Sequence, residues 1–102
     1  MQGALFLDLA RAGNVRRVRA LLDSGQDVNH SDDEGCTALH FAAAFGFHCL
    51  VRLLIRRGAD INLGDVHGIR PLFATSQKGH EPVVRVLLEG GASINLADND
   101  GI

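Results

Sequence analysis

The sequence lacks tryptophan and tyrosine altogether and holds only two cysteines, Cys36 and Cys49. Without Trp or Tyr there is no aromatic interleaving among the arginines, which is what a single-stranded nucleic acid would stack on. The net charge of −2 is likewise too small to argue for nucleic acid or an acidic membrane surface. Long apolar runs are missing too. The longest, such as LVRLLI, are interrupted by charge and fall far short of a membrane span. The start MQGALFLDLARAG has neither a basic opening nor a small-residue cleavage site in order, so it is read as no signal peptide. With no such signal, the two thiols point to a reducing compartment, and hence to the cytoplasm or nucleus. Cys36, His40, His48 and Cys49 lack any paired metal-ligand spacing, and no glycine loop follows a strand to cradle phosphate. No metal and no cofactor is expected.

What is present is a repeat. Shifted by 33 residues, Gly35 falls on Gly68 and Gly101, Gly46 on Gly79, Gly58 on Gly91, Asn62 on Asn95 and Asp65 on Asp98. The apolar cluster Leu53, Leu54, Ile55 falls on Val86, Leu87, Leu88, and a further shift back places Leu21 and Leu22 on Leu54 and Ile55. Glycines and apolar positions kept together at one period mark a stacked repeat protein, in which neighbouring units supply one another's core. The chain is read as a single domain over 1–102, with units at about 1–31, 32–64 and 65–97, and 98–102 as the start of a fourth. Two alternatives follow for the far side of the third unit. Either the array continues, or that side is exposed and open to self-association.

Within each unit the pattern predicts two helices. Residues 4–12 form the first, ended by Gly13, and Asn14 caps a second with Val15, Val18, Leu21 and Leu22 on its apolar face. Asp8 and Arg17 stand where later units carry Phe41 and Leu50, which suits an outer capping unit. Thr37 starts the next pair and Gly58 closes it; Pro71 and Pro82 sit near helix starts, and Gly90–Gly91 end the last helix. The first helices are short and small-residue-rich and the second helices bulky, so the stack curves with the short helices on its concave side.

The run from Asp33 to Asn62, DEGCTALHFAAAFGFHCLVRLLIRRGADIN, resembles the ankyrin repeat, whose pattern reads D-x-x-G-x-T-P-L-H-x-A-A-x-x-G-H and closes with L-L-x-x-G-A-D-V-N. Thr37, Leu39, His40, Ala42, Ala43, Gly46, Gly58, Ala59, Asp60 and Asn62 carry the match. The resemblance implies an all-α repeat solenoid, of paired antiparallel helices with β-hairpin loops. It also implies a non-catalytic module that grips protein or peptide partners with its hairpin tips and short-helix face. The third unit departs from it, with Arg70-Pro71-Leu72-Phe73 in place of T-P-L-H and Thr75, Ser76 in place of the paired alanines.

The resemblance places the tips at 32–35, 65–68 and 98–101, and the short-helix surface at Arg11 and Ala12, Ala44 and Phe45, and Gln77 and Lys78. Phe45, Val66 and Ile69 are apolar where the plan expects solvent, and Ile69 falls at the register of Cys36. With Arg57, His67 and Gln77 near them, they are expected to converge on one concave strip as a hot-spot cluster. Arg11, Asp33, Glu34, Cys36 and Lys78 complete the expected partner-binding set. Acidic tips (Asp32, Asp33, Glu34, Asp98, Asp100) favour a partner with Lys or Arg flanking an apolar anchor. The competing reading is a structural spacer, with the binding surface elsewhere in a longer array. Neither nucleic acid nor membrane insertion is expected.

Two further readings are weaker. Cys36 and His40, four apart on a helix, could pair a thiol with an imidazole, but no third group orients the ring and no catalysis is expected. The arginines Arg16, Arg17, Arg19, Arg52, Arg56, Arg57 and Arg85 read as a solvated convex face. In the resembled family the asparagine that closes the hairpin run can be hydroxylated, which singles out Asn29, Asn62 and Asn95. The blander role, bonding the turn backbone, serves each as well.

Overall fold

Each helix runs out into a glycine that lets the chain turn away, and two of them open on a side chain that accepts a first-turn amide. The computed structural model describes residues 2–92, the side chains of Gln2, Ser76, Gln77 and Lys78 excepted. Within that range the chain forms α1 (Gln2–Arg11), α2 (Val15–Asp23), α3 (Ala38–Ala44), α4 (His48–Arg56), α5 (Pro71–Lys78) and α6 (Glu81–Glu89). The first helix begins two residues earlier than the sequence pattern suggested.

Asn14 caps α2 by accepting the Arg17 amide at 3.1 Å. Thr37 caps α3 reciprocally: its hydroxyl accepts the His40 amide while His40 Nδ1 accepts the Thr37 amide at 3.1 Å. The same imidazole donates from Nε2 to the carbonyl of Ile69 at 2.8 Å, so one ring both caps its helix and ties the second unit to the third. Burial pushes the His40 pKa below its usual value, against an opposing pull from the Ile69 carbonyl and from Asp65 and Asp32.

At the starts of α4 and α6 the ring of Phe47 or His80 makes no cap bond. Each leans instead over a glycine of the preceding unit. A Cβ at Gly13 would come within 3.0 Å of the Phe47 ring, and one at Gly46 within 2.7 Å of the His80 ring. Both glycines have positive φ as well, so a side chain there is refused by backbone and neighbour together. His80 also donates from Nε2 to the Ala44 carbonyl at 3.0 Å, a second imidazole bond across the same junction.

The helices stack in two layers. Phe6, Leu39, Leu50, Leu54 and Leu87 are the largest wholly buried apolar side chains, with Val18, Val51 and Val83 beside them. Ala38, Ala42 and Ala43 are fully buried, and their small size lets α3 lie close to both α1 and α5. The contacts of α2 with α4, and of α4 with α6, are sparser, which puts the first helices on the inside of the curve. Arg17 is exposed where Leu50 and Val83 are wholly buried, as a capping unit requires. In the third unit Thr75 replaces a buried alanine and is itself wholly buried. Its hydroxyl donates to the His80 carbonyl at 3.4 Å.

The links between units are tight turns built on one aspartate each. Asp32 Oδ1 accepts the amides of Glu34 and Cys36, at 2.9 and 3.0 Å, and Asp65 Oδ1 accepts those of His67 and Ile69, at 2.8 and 3.0 Å. Each turn closes with a backbone bond, Asp32 N–H to Cys36 O and Asp65 N–H to Ile69 O. The hairpins are therefore paired loops. Among the described residues their bridging is limited to the single pair Ser31–Thr37, too little to build a strand. Gly35 and Gly68 take the same φ of 77° at the turn, and Gly35 must also stay bare because the Val66 amide passes 3.0 Å from where its Cβ would be.

Candidate functional site

The turn aspartates leave the outer residues of each hairpin facing solvent. Asp33 and Glu34 are exposed at the first tip and Val66 and His67 at the second, and Val66 is 56% exposed. The Val66 amide donates to the Glu34 carbonyl at 2.9 Å, so the two tips are joined into one edge. Cys36 and Ile69 occupy equivalent places at the base of the hairpins and are only half-buried. Cys36 Sγ lies 4.0 Å from Asp65 Oδ2. Burial raises its pKa, and Asp32, Asp65 and Glu34 raise it further, with Arg11 opposing. That environment keeps the thiol protonated, the reverse of what a nucleophile needs.

Phe45 is 53% exposed and stands apart from this edge. It follows the last residue of α3, whereas the hairpins join the starts of α3 and α5. The seven residues of α3 put about 10 Å between those two ends. The single apolar strip expected from the sequence is thus two patches: Val66 with Ile69 and His67 at the hairpin edge, and Phe45 against Phe47, ring centroids 6.0 Å apart, at the helix turn. Arg57 belongs to neither. It ends α4 and is ion-paired with Asp23 at the end of α2. The backbone of Gln77 and Lys78 lies in the last turn of α5; their side chains fall outside the described residues.

Arg11 does more than the sequence suggested. Its guanidinium stacks over the Phe41 ring, 4.3 Å from the centroid, and reaches Asp8 at 3.4 Å and Asp32 at 3.7 Å. It joins α1, α3 and the first hairpin on the inner face. Sequence reasoning missed this because Phe41 and Asp32 meet Arg11 only once two units have stacked. It also missed Phe73, which is 46% exposed at the register of His40. The one available signal was the loss of histidine at that place in the repeat.

Of the asparagines that close the hairpin runs, Asn29 bonds through its side chain: its Oδ1 accepts the Asp60 backbone amide at 2.8 Å, linking the first and second units. At Asn62 it is the backbone N–H that donates, to Asp60 Oδ1 at 3.3 Å. Asn95, Asp98, Asp100 and Gly101 lie outside the described residues. Among the described residues no group of three or more His, Cys, Asp or Glu side chains is placed to hold a metal ion, and no helix is long and apolar enough to cross a membrane.

No curated protein matches the chain. The family model described as ankyrin repeats (3 copies) does match it, over residues 6–98. Among the described residues, six helices in three stacked pairs and glycines at the turns, together with a family match over residues 6–98, place this chain in the ankyrin-repeat family, whose members are in general protein–protein interaction modules and typically not catalysts.

Proposed function

We propose that the protein is a non-catalytic binding module that takes a peptide or protein domain on its hairpin edge and short-helix face. The observation that carries this reading is Phe45. It is the exposed large apolar side chain of a unit that buries or half-buries every other one, and a packed repeat gains nothing from leaving it in water. Val66, exposed beside Glu34, supplies a second apolar contact with acidic neighbours. A partner with an apolar anchor flanked by Lys or Arg matches that chemistry. The cytoplasm or nucleus is the setting we infer, from the unpaired cysteines.

Phe45→Ala and Val66→Ala, made separately, test the reading in a pull-down from cell extract beside the wild-type chain. Both side chains are largely exposed, so each variant is expected to keep the wild-type circular dichroism spectrum and to lose less than about 1 kcal/mol of stability. A partner retained by the wild type and weakened by both variants supports the reading. A partner held equally by all three places binding elsewhere, and capture of nothing favours the spacer alternative.

A further inference from the structure

Arg11 rests in a place shaped to hold a cation. The face of the Phe41 ring lies under its guanidinium, and Asp8 Oδ1 and Asp32 Oδ2 approach it at 3.4 and 3.7 Å. An aromatic face and carboxylate oxygens at its rim are the groups that recognise a cation in any ligand. The seat keeps its shape without Arg11. Asp32 Oδ1 is committed to the amides of Glu34 and Cys36, which fixes that carboxylate and leaves Oδ2 turned to the guanidinium. Phe41 is half-buried and packs against the core.

Its occupant is loosely kept. Arg11 and Asp8 are exposed, and both ion-pair distances exceed the roughly 2.8 Å of a close charged hydrogen bond. Exposed contacts of these kinds are individually weak in water. The surroundings favour a second cation over an anion: α1, α3 and the first hairpin carry Asp8, Asp32, Asp33 and Glu34 against Arg11, with His40 neutral. The Cys36 thiol registers the same field. Beyond burial, Asp32, Asp65 and Glu34 raise its pKa and Arg11 alone opposes them. Phe45 lies four residues on from Phe41, on the same side of α3. An apolar side chain against Phe45 therefore brings a neighbouring Lys or Arg within reach of the seat. Building on the binding reading above, we propose that Arg11 is a built-in stand-in for the partner's cation. The seat formed by Phe41, Asp8 and Asp32 takes the Lys or Arg beside the apolar anchor, and Arg11 swings out to admit it. Apparent affinity is then the intrinsic affinity multiplied by the fraction of molecules whose seat is open.

The test titrates the whole chain with the peptide acetyl-Ala-Leu-Ala-Arg-Ala-Arg-Ala-amide, and with analogues carrying Gln or Glu in place of both arginines. The Phe41 ring protons are followed by NMR in about 0.15 M salt. They are expected to shift with the arginine peptide and to stay put with the Gln analogue. Arg11→Ala, with an unchanged circular dichroism spectrum, is expected to bind the arginine peptide roughly fivefold more tightly than the wild type. That is the order a competitor made of one exposed cation–π contact and two long ion pairs can supply. Arg16→Ala removes an equal charge from the exposed face of α2 and is expected to change affinity less than about twofold. Arg11→Ala/Phe41→Leu is expected to lose the gain, because the seat goes with the ring. Unchanged or weaker binding in Arg11→Ala would overturn the proposal, as would motionless Phe41 signals in that variant at millimolar peptide. So would an equal gain in Arg16→Ala, or tighter binding of the Glu analogue than of the arginine peptide by the wild type. Phe45→Ala tells the two readings apart. If it weakens the peptide while Arg11→Ala brings no gain, the seat falls and the concave binding surface stands. A gain in Arg11→Ala with Phe45→Ala neutral supports the seat and removes Phe45 as the apolar contact.

Discussion

The second and third units share a register but differ at the start of their first helix, and the difference isolates what one imidazole contributes. In the second unit Thr37 and His40 cap each other, and His40 reaches on to Ile69 of the next unit. In the third, Arg70 and Phe73 occupy those places, the helix opens on Pro71, and the Phe73 ring is nearly half exposed. The apolar layer beneath is alike in both, with Leu54 and Leu87 each wholly buried. Core composition is therefore matched while polar coupling is not. Repeat proteins draw stability from neighbours as well as from each unit, and these two units separate the contributions.

The largest effect tests the core half of that statement. Leu54→Ala and Leu87→Ala each remove a fully buried side chain, and each is expected to cost about 2–5 kcal/mol in urea unfolding. Leu54 belongs to the unit with a neighbour on both sides among the described residues, so its loss should be the larger of the two. Equal or reversed costs would break the comparison.

A smaller effect sharpens the polar half. His40 is buried with Nδ1 accepting and Nε2 donating, an arrangement only the neutral ring can hold. Its folded pKa lies below the ordinary 6.5, chiefly through burial. The unfolded chain therefore takes up this proton first as pH falls. The contribution is whole above about pH 6.5 and is lost as pH drops from there through the folded pKa. Thermal unfolding from pH 7.5 to 5 should show that loss in the wild type and a flatter profile in His40→Gln. The variant should also be less stable at neutral pH by about 1–3 kcal/mol, through the unmet Ile69 carbonyl and the weakened cap.

The smallest effect runs the comparison backwards. Arg70→Thr with Phe73→His rebuilds in the third unit the reciprocal cap of the second. A gain of about 0.5–1 kcal/mol in urea unfolding is expected. No gain would mean that the buried Pro71 start already serves the helix as well as a cap would.

Much of the fold was legible because its punctuation is local. Asn14 and Thr37 cap helices through bonds to residues three places on, and glycines at 13, 46 and 58 turn the chain with positive φ. Contacts between units were not legible to the same degree. Arg11 over Phe41 joins residues 30 apart whose meeting depends on how α1 and α3 are set against each other. Exposure of Phe45 and Val66 followed from their place in the repeat, but their separation into two patches needed the direction of α3. Arg57 was misplaced for the same reason. It sits near the hairpins in sequence, yet its helix carries it to Asp23 on the outer layer.

The rings of Phe47 and His80, each seated over a glycine one unit earlier, bear on how such a chain can be recombined. A 33-residue segment cut at the hairpins and moved elsewhere leaves its own glycine behind, but Gly13, Gly46 and Gly79 share one register and a similar positive φ, so it meets an equivalent glycine in whichever unit precedes it. What a swap or insertion must keep is therefore a bare glycine at that register, and a unit grafted after a segment that carries a side chain there should jam.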